Sequence, residues 1–259
     1  MKKLKIVSLI LCVALAVTCF AACSSSASGL DKIKKAGKLT VLTNAEFPPY
    51  EYIGSGGSVE GIDVDISQAI ADEIGVTLEI VNMDFDGLIP ALVGGKGDIV
   101  AAGLTVDPER AESVDFTTTY ADAKQLIIVT AADPKVANAD DLAGKTIGVQ
   151  LGTTGDLYVT DNVEGADVKQ YKSGLDASVD LMNGKLDAVV IDQLTAESIV
   201  ASNPDLVIVD MPDTDEQYAI AVPKGDTELT DLISGVIQNL IDEGKIAEFT
   251  ATHVEEFTS

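Results

Sequence analysis

Short apolar runs alternate with helix-period stretches along this chain. Residues 39–42, 76–81, 98–101, 125–130, 146–149, 168–171, 186–191, 206–209 and 218–222 form short runs, mostly rich in Val, Ile, Leu or Ala and bounded by Gly, Pro, Asp, Asn or Lys. Runs of this length and composition predict strands. Between them, residues 61–74, 84–92, 175–182, 227–243 and 246–253 predict helices; in the first, Ile66, Ala69 and Ile70 share one face. Residues 51–60 predict a hairpin around Gly54-Ser55-Gly56-Gly57, and Asp140-Asp141-Leu142 opens a short helix. Strands alternating with helices at this spacing predict an α/β fold with mainly parallel sheets. The pattern restarts after Tyr120, which argues for two lobes; pattern alone leaves a single large sheet open.

The first residues do not fit this alternation. Lys2, Lys3 and Lys5 precede an apolar stretch over 6–20, and Ala21-Ala22-Cys23 closes it with small residues. That is an export signal over 1–22, not a spanning helix, because a polar run follows at once. Cys23 sits where a bacterial lipoprotein signal places its modified cysteine, and residues 23–29 read as a flexible tether. All three cysteines, Cys12, Cys19 and Cys23, lie in this region, so cleavage before Cys23 leaves one cysteine and no disulfide. The expected location is outside the cytoplasm, anchored to the outer face of the cell membrane through lipidated Cys23; secretion after cleavage nearby is the alternative.

Charge narrows the partners. Seventeen Lys and Arg against 42 Asp and Glu give a net charge of −25 over 259 residues. Such a surface repels nucleic acid, which needs basic patches.

The segment 98–110, reading D-I-V-A-A-G-L-T-V-D-P-E-R, carries the first candidate chemistry. It begins as a buried strand, passes through Ala102, Gly103 and Thr105, and closes with a helix start at Asp107-Pro108-Glu109-Arg110. Small residues after a strand let a ligand approach the backbone, and the Arg110 guanidinium is a planar fork that matches a carboxylate. A surface pair of Arg110 with Glu109 or Asp107 is the alternative. Upstream, Pro48 and Pro49 fix an extended loop that displays Phe47 and Tyr50. Phe47 is assigned to the ligand and Tyr50 to packing. Phe85 follows a strand end, where ligand crevices form in open α/β sheets, with plain core packing as its alternative. Asp63 and Asp65 lack further oxygen ligands at calcium-loop spacing, so they read as an acidic helix start, and no metal is expected. The loop 150–155 lacks the Gly-Lys-Ser/Thr ending of a nucleotide loop, yet it offers a helix N-terminus with two hydroxyls for a small anion. No Ser/His/Asp set or zinc spacing is visible, and the single histidine, His253, is near the C-terminus. No cofactor is implied.

Taken together, Glu46-Phe47-Pro48-Pro49-Tyr50, Gly61-Ile62-Asp63-Val64-Asp65, residues 84–90, residues 98–110, Val114-Asp115-Phe116-Thr117, Leu142-Ala143-Gly144-Lys145, Gly148-Val149-Gln150 and Leu186-Asp187-Ala188-Val189 resemble the amino-acid-binding family 3 of extracellular solute-binding proteins that serve ABC importers. The resemblance runs over about residues 30 to 257. It implies a two-lobed periplasmic-binding-protein-like fold with two hinge crossings, near 121–124 and 217–219. Lobe 1 would take 30–122 plus 219–259, and lobe 2 would take 123–218.

The resemblance also implies the roles at the site. Arg110 would hold the ligand carboxylate, with added donors from Gly103, Thr105 and Thr154. Asp192, which also reads as a helix cap, would take the α-ammonium, and the backbone carbonyl of Ala102 would face it. Phe47 and Phe85 would sandwich the side chain. Asn44 stands where relatives that bind basic amino acids often carry an acid, which points to a polar, uncharged amino acid hydrogen-bonded by Asn44. The implied protein is a monomeric receptor that captures a free amino acid and hands it to an ABC permease. Some relatives of this fold have become dehydratases, so an enzyme acting on a small carboxylic acid is the alternative; the residue inventory favours a non-enzyme.

Overall fold

The computed structural model describes residues 28–211 and 214–258, so the signal peptide and Cys23 lie outside the described residues. The first helix, α1 (Gly29–Ala36), starts inside the stretch expected to be tether. Ser28 Oγ accepts the Asp31 N–H at 3.2 Å, a cap that fixes its N-terminus.

Two five-stranded sheets follow. The first has the order β5 (Thr77–Asn82), β1 (Lys38–Thr43), β6 (Ile99–Val100), β15 (Ala221–Pro223), β7 (Val114–Phe116). The second has the order β11 (Asp167–Tyr171), β10 (Thr146–Gln150), β12 (Ala188–Asp192), β9 (Gln125–Thr130), β13 (Leu206–Asp210). Each is parallel over its first three strands and antiparallel thereafter. The antiparallel strands β9 and β15 are those that arrive from the opposite sheet. A buried run looks the same in sequence whichever way its neighbour points, so "mainly parallel" was only half of the arrangement.

The sheets are joined by a ribbon of β8 (Ala121–Ala123) and β14 (Glu216–Tyr218), paired antiparallel with Gln217 opposite Asp122. The single strand expected over 218–222 is therefore two. Its first part pairs within this ribbon and its second joins the first sheet, because the chain changes partner as it passes between lobes. A three-stranded meander of β2 (Glu46–Phe47), β3 (Glu51–Ile53) and β4 (Val59–Glu60) contains the expected hairpin.

Helix α2 (Ile62–Ile74) buries Ile62, Ile66, Ile70 and Ile74 in the core of the first lobe, roughly 1.5–3 kcal/mol for each such side chain. Helices α3 (Leu88–Val93) and α4 (Arg110–Ser113) pack on the first sheet, and α5 (Thr154–Asn162), α6 (Gly174–Met182) and α7 (Gln193–Ser202) cover the second. The last two helices, α8 (Thr227–Asp242) and α9 (Lys245–Thr258), return to the first lobe, and α9 also packs on α7. His253 ties α9 down: Nδ1 lies 2.8 Å from Tyr52 Oη and Nε2 2.9 Å from Asp65 Oδ2. The carboxyl ends of β1, β6, β10 and β12 face one crevice between the lobes, where open α/β sheets place ligands, and Gly103, just past β6, and Asp192, at the end of β12, line it.

Candidate functional site

The crevice is lined from the first lobe by Phe47, Phe85, Gly103, Thr105 and Arg110, and from the second by Thr153, Thr154 and Asp192, with Gln125 and Tyr218 at the ribbon. Its volume is about 10 Å³, room for about one water. A larger groove of about 460 Å³ lies between the hairpin, α7 and α9. It contains none of the charged partners a zwitterion needs except Glu46 and Glu256, and the small crevice is the better candidate on chemistry.

Arg110 is the first residue of a one-turn helix whose start is held by Asp107 Oδ1, which accepts the N–H groups of Glu109 and Arg110 at 2.9 and 3.1 Å. This fixes the side chain's origin. Its Nη1 donates to the Thr105 carbonyl at 3.0 Å, and its Nη2 crosses the crevice to the Gly152 carbonyl, also at 3.0 Å. The guanidinium carbon stands 5.5 Å from the centre of the Phe85 ring, a cation–π distance. Burial holds the Arg110 pKa below its ordinary value, although Asp107 and Glu216 oppose that. The surface pairing weighed for Arg110 is replaced by these contacts.

Thr105 and Thr154 face each other across Glu216. Thr105 Oγ1 donates to Glu216 Oε2 at 2.6 Å and Thr154 Oγ1 to the same oxygen at 2.8 Å. Gln125 Nε2 is shared between Glu216 Oε1 and Thr154 Oγ1, both at 3.2 Å. Gly155 explains how Gln125 fits: a Cβ there would stand 2.7 Å from Gln125 Oε1. Gly103 turns the chain at φ +52°, and a Cβ on it would come within 2.7 Å of the Phe47 ring. Its N–H donates to Asp63 Oδ2 at 2.8 Å.

Asp192 ends β12 and caps α7 at once, accepting the Leu194 N–H at 3.1 Å. Its other oxygen accepts the Tyr218 hydroxyl. Burial raises its pKa from 3.8 to about 7, with the Glu216 charge adding to the rise; the Tyr218 hydrogen bond and the backbone donors pull the other way. Cap and anionic partner thus coexist in one side chain.

Asn44 and Ala102 are set back from the cavity. Asn44 Nδ2 donates to the Met83 carbonyl at 2.9 Å, and its Oδ1 accepts from Gln150 Nε2 of the other lobe at 2.9 Å. Both ends of the amide are engaged. Ala102 is fully buried in the core behind Gly103. Tyr50 is buried and stacks on Phe47 with ring centres 5.7 Å apart. Among the described residues, no group of three or more His, Cys, Asp or Glu is arranged to hold a metal ion.

Gln125, Glu216 and Tyr218 escaped the sequence reading. Their signal was positional: Tyr218 lies within the second crossing expected over 217–219, Glu216 just before it and Gln125 just after the first, expected over 121–124, and a crossing must pass the crevice.

Comparison with known proteins fits this geometry. The family model described as bacterial extracellular solute-binding proteins, family 3, matches residues 39–256. The arginine-binding extracellular protein ArtP of Bacillus subtilis is 34% identical over 251 residues, 95% of each chain. Among solved structures, AbpA of Streptococcus pneumoniae bound to L-arginine superposes with a TM-score of 0.85 at 31% identity, over 88% of this chain and 99% of that one. Holo ArgBP from T. maritima gives a TM-score of 0.78 at 44% identity, over 82% and 93%.

Proposed function

The chain belongs to the bacterial extracellular solute-binding proteins of family 3, and on that premise we propose that it captures a free amino acid with a cationic side chain between its lobes and delivers it to an ABC importer. It is a binding protein rather than an enzyme, as its relatives are. The observation that carries the amino-acid reading is the pairing of Arg110 with Asp192 on opposite sides of one crevice. A zwitterion needs a cation for its carboxylate and an anion for its ammonium, and charge-assisted hydrogen bonds contribute roughly 1.5–3 kcal/mol each. Arg110, Thr105, Thr154 and the Gly103 turn form the carboxylate end. Asp192, with the Ala102 carbonyl near Gly103, forms the ammonium end. Phe47 and Phe85 take the side chain between them.

The charge of the ligand follows from the same residues. Arg110 is the one cation in the lining, against Asp192 in the lining and Glu216, which is hydrogen-bonded to the lining residues Thr105 and Thr154. With both acids ionised the crevice is net negative, which favours a ligand of net positive charge. Asn44, on which the expectation of an uncharged side chain rested, lies outside the lining of the crevice and bonds Met83 and Gln150. The names of the relatives point the same way: ArtP and AbpA are an arginine-binding protein and an arginine complex.

The lobe limits at 122 and 218, a monomeric state and an anchor at Cys23 complete the reading. A thermal-shift screen over the twenty amino acids and cystine tests the ligand class. Arginine at 100 times its dissociation constant should add about 2.7 kcal/mol of stability. A response confined to neutral amino acids would overturn the cationic assignment, and no response to any would overturn the amino-acid reading.

A further inference from the structure

Behind Gly103 lie two carboxyl groups that are not part of the crevice lining. Glu51, in β3, is 0% exposed, and Asp63, in the first turn of α2, is 1% exposed. They meet because Gly61 lets β3 press against the start of α2: its φ is +136°, and a Cβ there would collide with the Tyr50 carbonyl. The backbone then locks the approach, with Ile62 N–H on the Pro49 carbonyl at 3.1 Å and Asp63 N–H on the Tyr50 carbonyl at 3.0 Å.

Asp63 Oδ2 accepts two hydrogen bonds, from the Gly103 N–H and the Tyr120 hydroxyl, each at 2.8 Å. As two carboxylates, neither acid could donate to the other. Asp63 Oδ1 and both oxygens of Glu51 would then be buried without a hydrogen-bond partner. Two bare charges in contact, one with no donor at all, are among the most unfavourable arrangements a protein interior offers. The other charge that acts on Glu51 is Asp192, also negative, and the remaining titratable neighbours are the hydroxyls of Tyr50 and Tyr120. One proton resolves the conflict.

We infer that Glu51 is protonated and donates to Asp63, and that this proton-sharing pair is a positioning element that holds the Gly103 turn of the ligand site. Asp63 then has three donors, Glu51, Tyr120 and Gly103, around one negative charge. The Gly103 N–H is drawn back onto it, and the turn that separates Ala102 from Thr105 is set. The direction of the pKa shifts agrees: burial and then Asp63 push Glu51 well above the usual carboxylate range, whereas Asp63, which burial raises, is pulled back by Gly103, Tyr120 and Glu51 to about 6. The ligand-site part of the inference rests on the amino-acid reading; the proton does not.

Infrared spectroscopy of the folded protein reads the proton without any ligand. The wild type at alkaline pH, where Asp192 is ionised, should show the carbonyl stretch of a protonated carboxylic acid, and Glu51→Gln should lose it. Absence of that band in the wild type, or its persistence in Glu51→Gln, would overturn the pair. Calorimetry with arginine then reads the positioning role. Glu51→Gln keeps a donor to Asp63 and should bind within about twofold of wild type, whereas Glu51→Met, which keeps the length and loses the donor, should bind roughly tenfold or more weakly. Equal affinities for the two variants would remove the positioning role while leaving the proton to the infrared result. Should Glu51→Met fail to fold, a Glu51→Gln protein that binds tenfold worse would be enough to refute it.

Discussion

Lowering the pH from 8 to 6 should weaken amino-acid binding about tenfold through Asp192. In the unliganded site its carboxyl titrates at about 7, because burial and Glu216 oppose its charge. A bound α-ammonium stabilises the ionised form, so the liganded pKa is lower. Only ionised Asp192 offers full pairing. Its ionised fraction is about nine-tenths at pH 8 and about one-tenth at pH 6, a tenfold change in the competent population. The sign follows from linkage: binding prefers the deprotonated form, so it releases protons, about half a proton per ligand at pH 7. Titration calorimetry in two buffers of different ionisation enthalpy measures both quantities, the affinity and the protons released. Asp192→Asn should bind weakly at both pH values with no proton release. A wild type whose affinity is flat between pH 6 and 8, or one that takes up protons on binding, would refute the reasoning. The same raised pKa favours the unliganded fold on the acid side: that stability is lost as pH rises through 7.

Arg110→Ala should cost at least about a hundredfold in affinity, since both guanidinium arms and the Phe85 contact go together; an unchanged dissociation constant, with circular dichroism confirming the fold, would remove it from the site. Gly103→Ala should lower affinity and thermal stability together, because the φ of +52° and the Phe47 ring both exclude a methyl group; a melting temperature equal to that of the wild type would contradict this. Glu216→Gln removes one negative charge beside Thr105 and Thr154, so competition assays should show a fall of about tenfold in the preference for arginine over glutamine, and an unaltered preference would mean that Glu216 does not set the charge of the ligand. Cys23→Ser should move the protein from the membrane fraction to the medium on cell fractionation; retention on membranes would rule out the lipid anchor.

Much of the framework was legible because local pattern and tertiary role coincide there. Runs such as 125–130 and 186–191 are buried on both faces, so their apolar continuity is the strand signal itself. Arg110 could be found from the small residues before it and the helix start that carries it. What the sequence concealed were properties that belong to pairs of distant residues. Asn44 looked available until Gln150 was seen 106 positions away. Asp63 read as a helix-start acid, and only burial against Glu51 and Gly103 gives it another meaning. The strand over 218–222 broke in two because a change of hydrogen-bonding partner leaves no mark in hydrophobicity. Tyr218, the residue that meets Asp192, lies just before that break.

The ribbon of β8 and β14 has a mechanical consequence. Its two strands are bonded to each other as well as to the lobes they leave, with Gln217 Nε2 adding a side-chain bond to Asp122 at 3.0 Å. A two-stranded ribbon twists readily but resists extension along its strands. Separation of the lobes is therefore a torsion, and Glu216 and Tyr218 are carried on the spring that stores it. A molecule seated between Arg110 and Asp192 would displace their contacts, and the ribbon that carries Glu216 and Tyr218 is the element through which that displacement would be felt as twist.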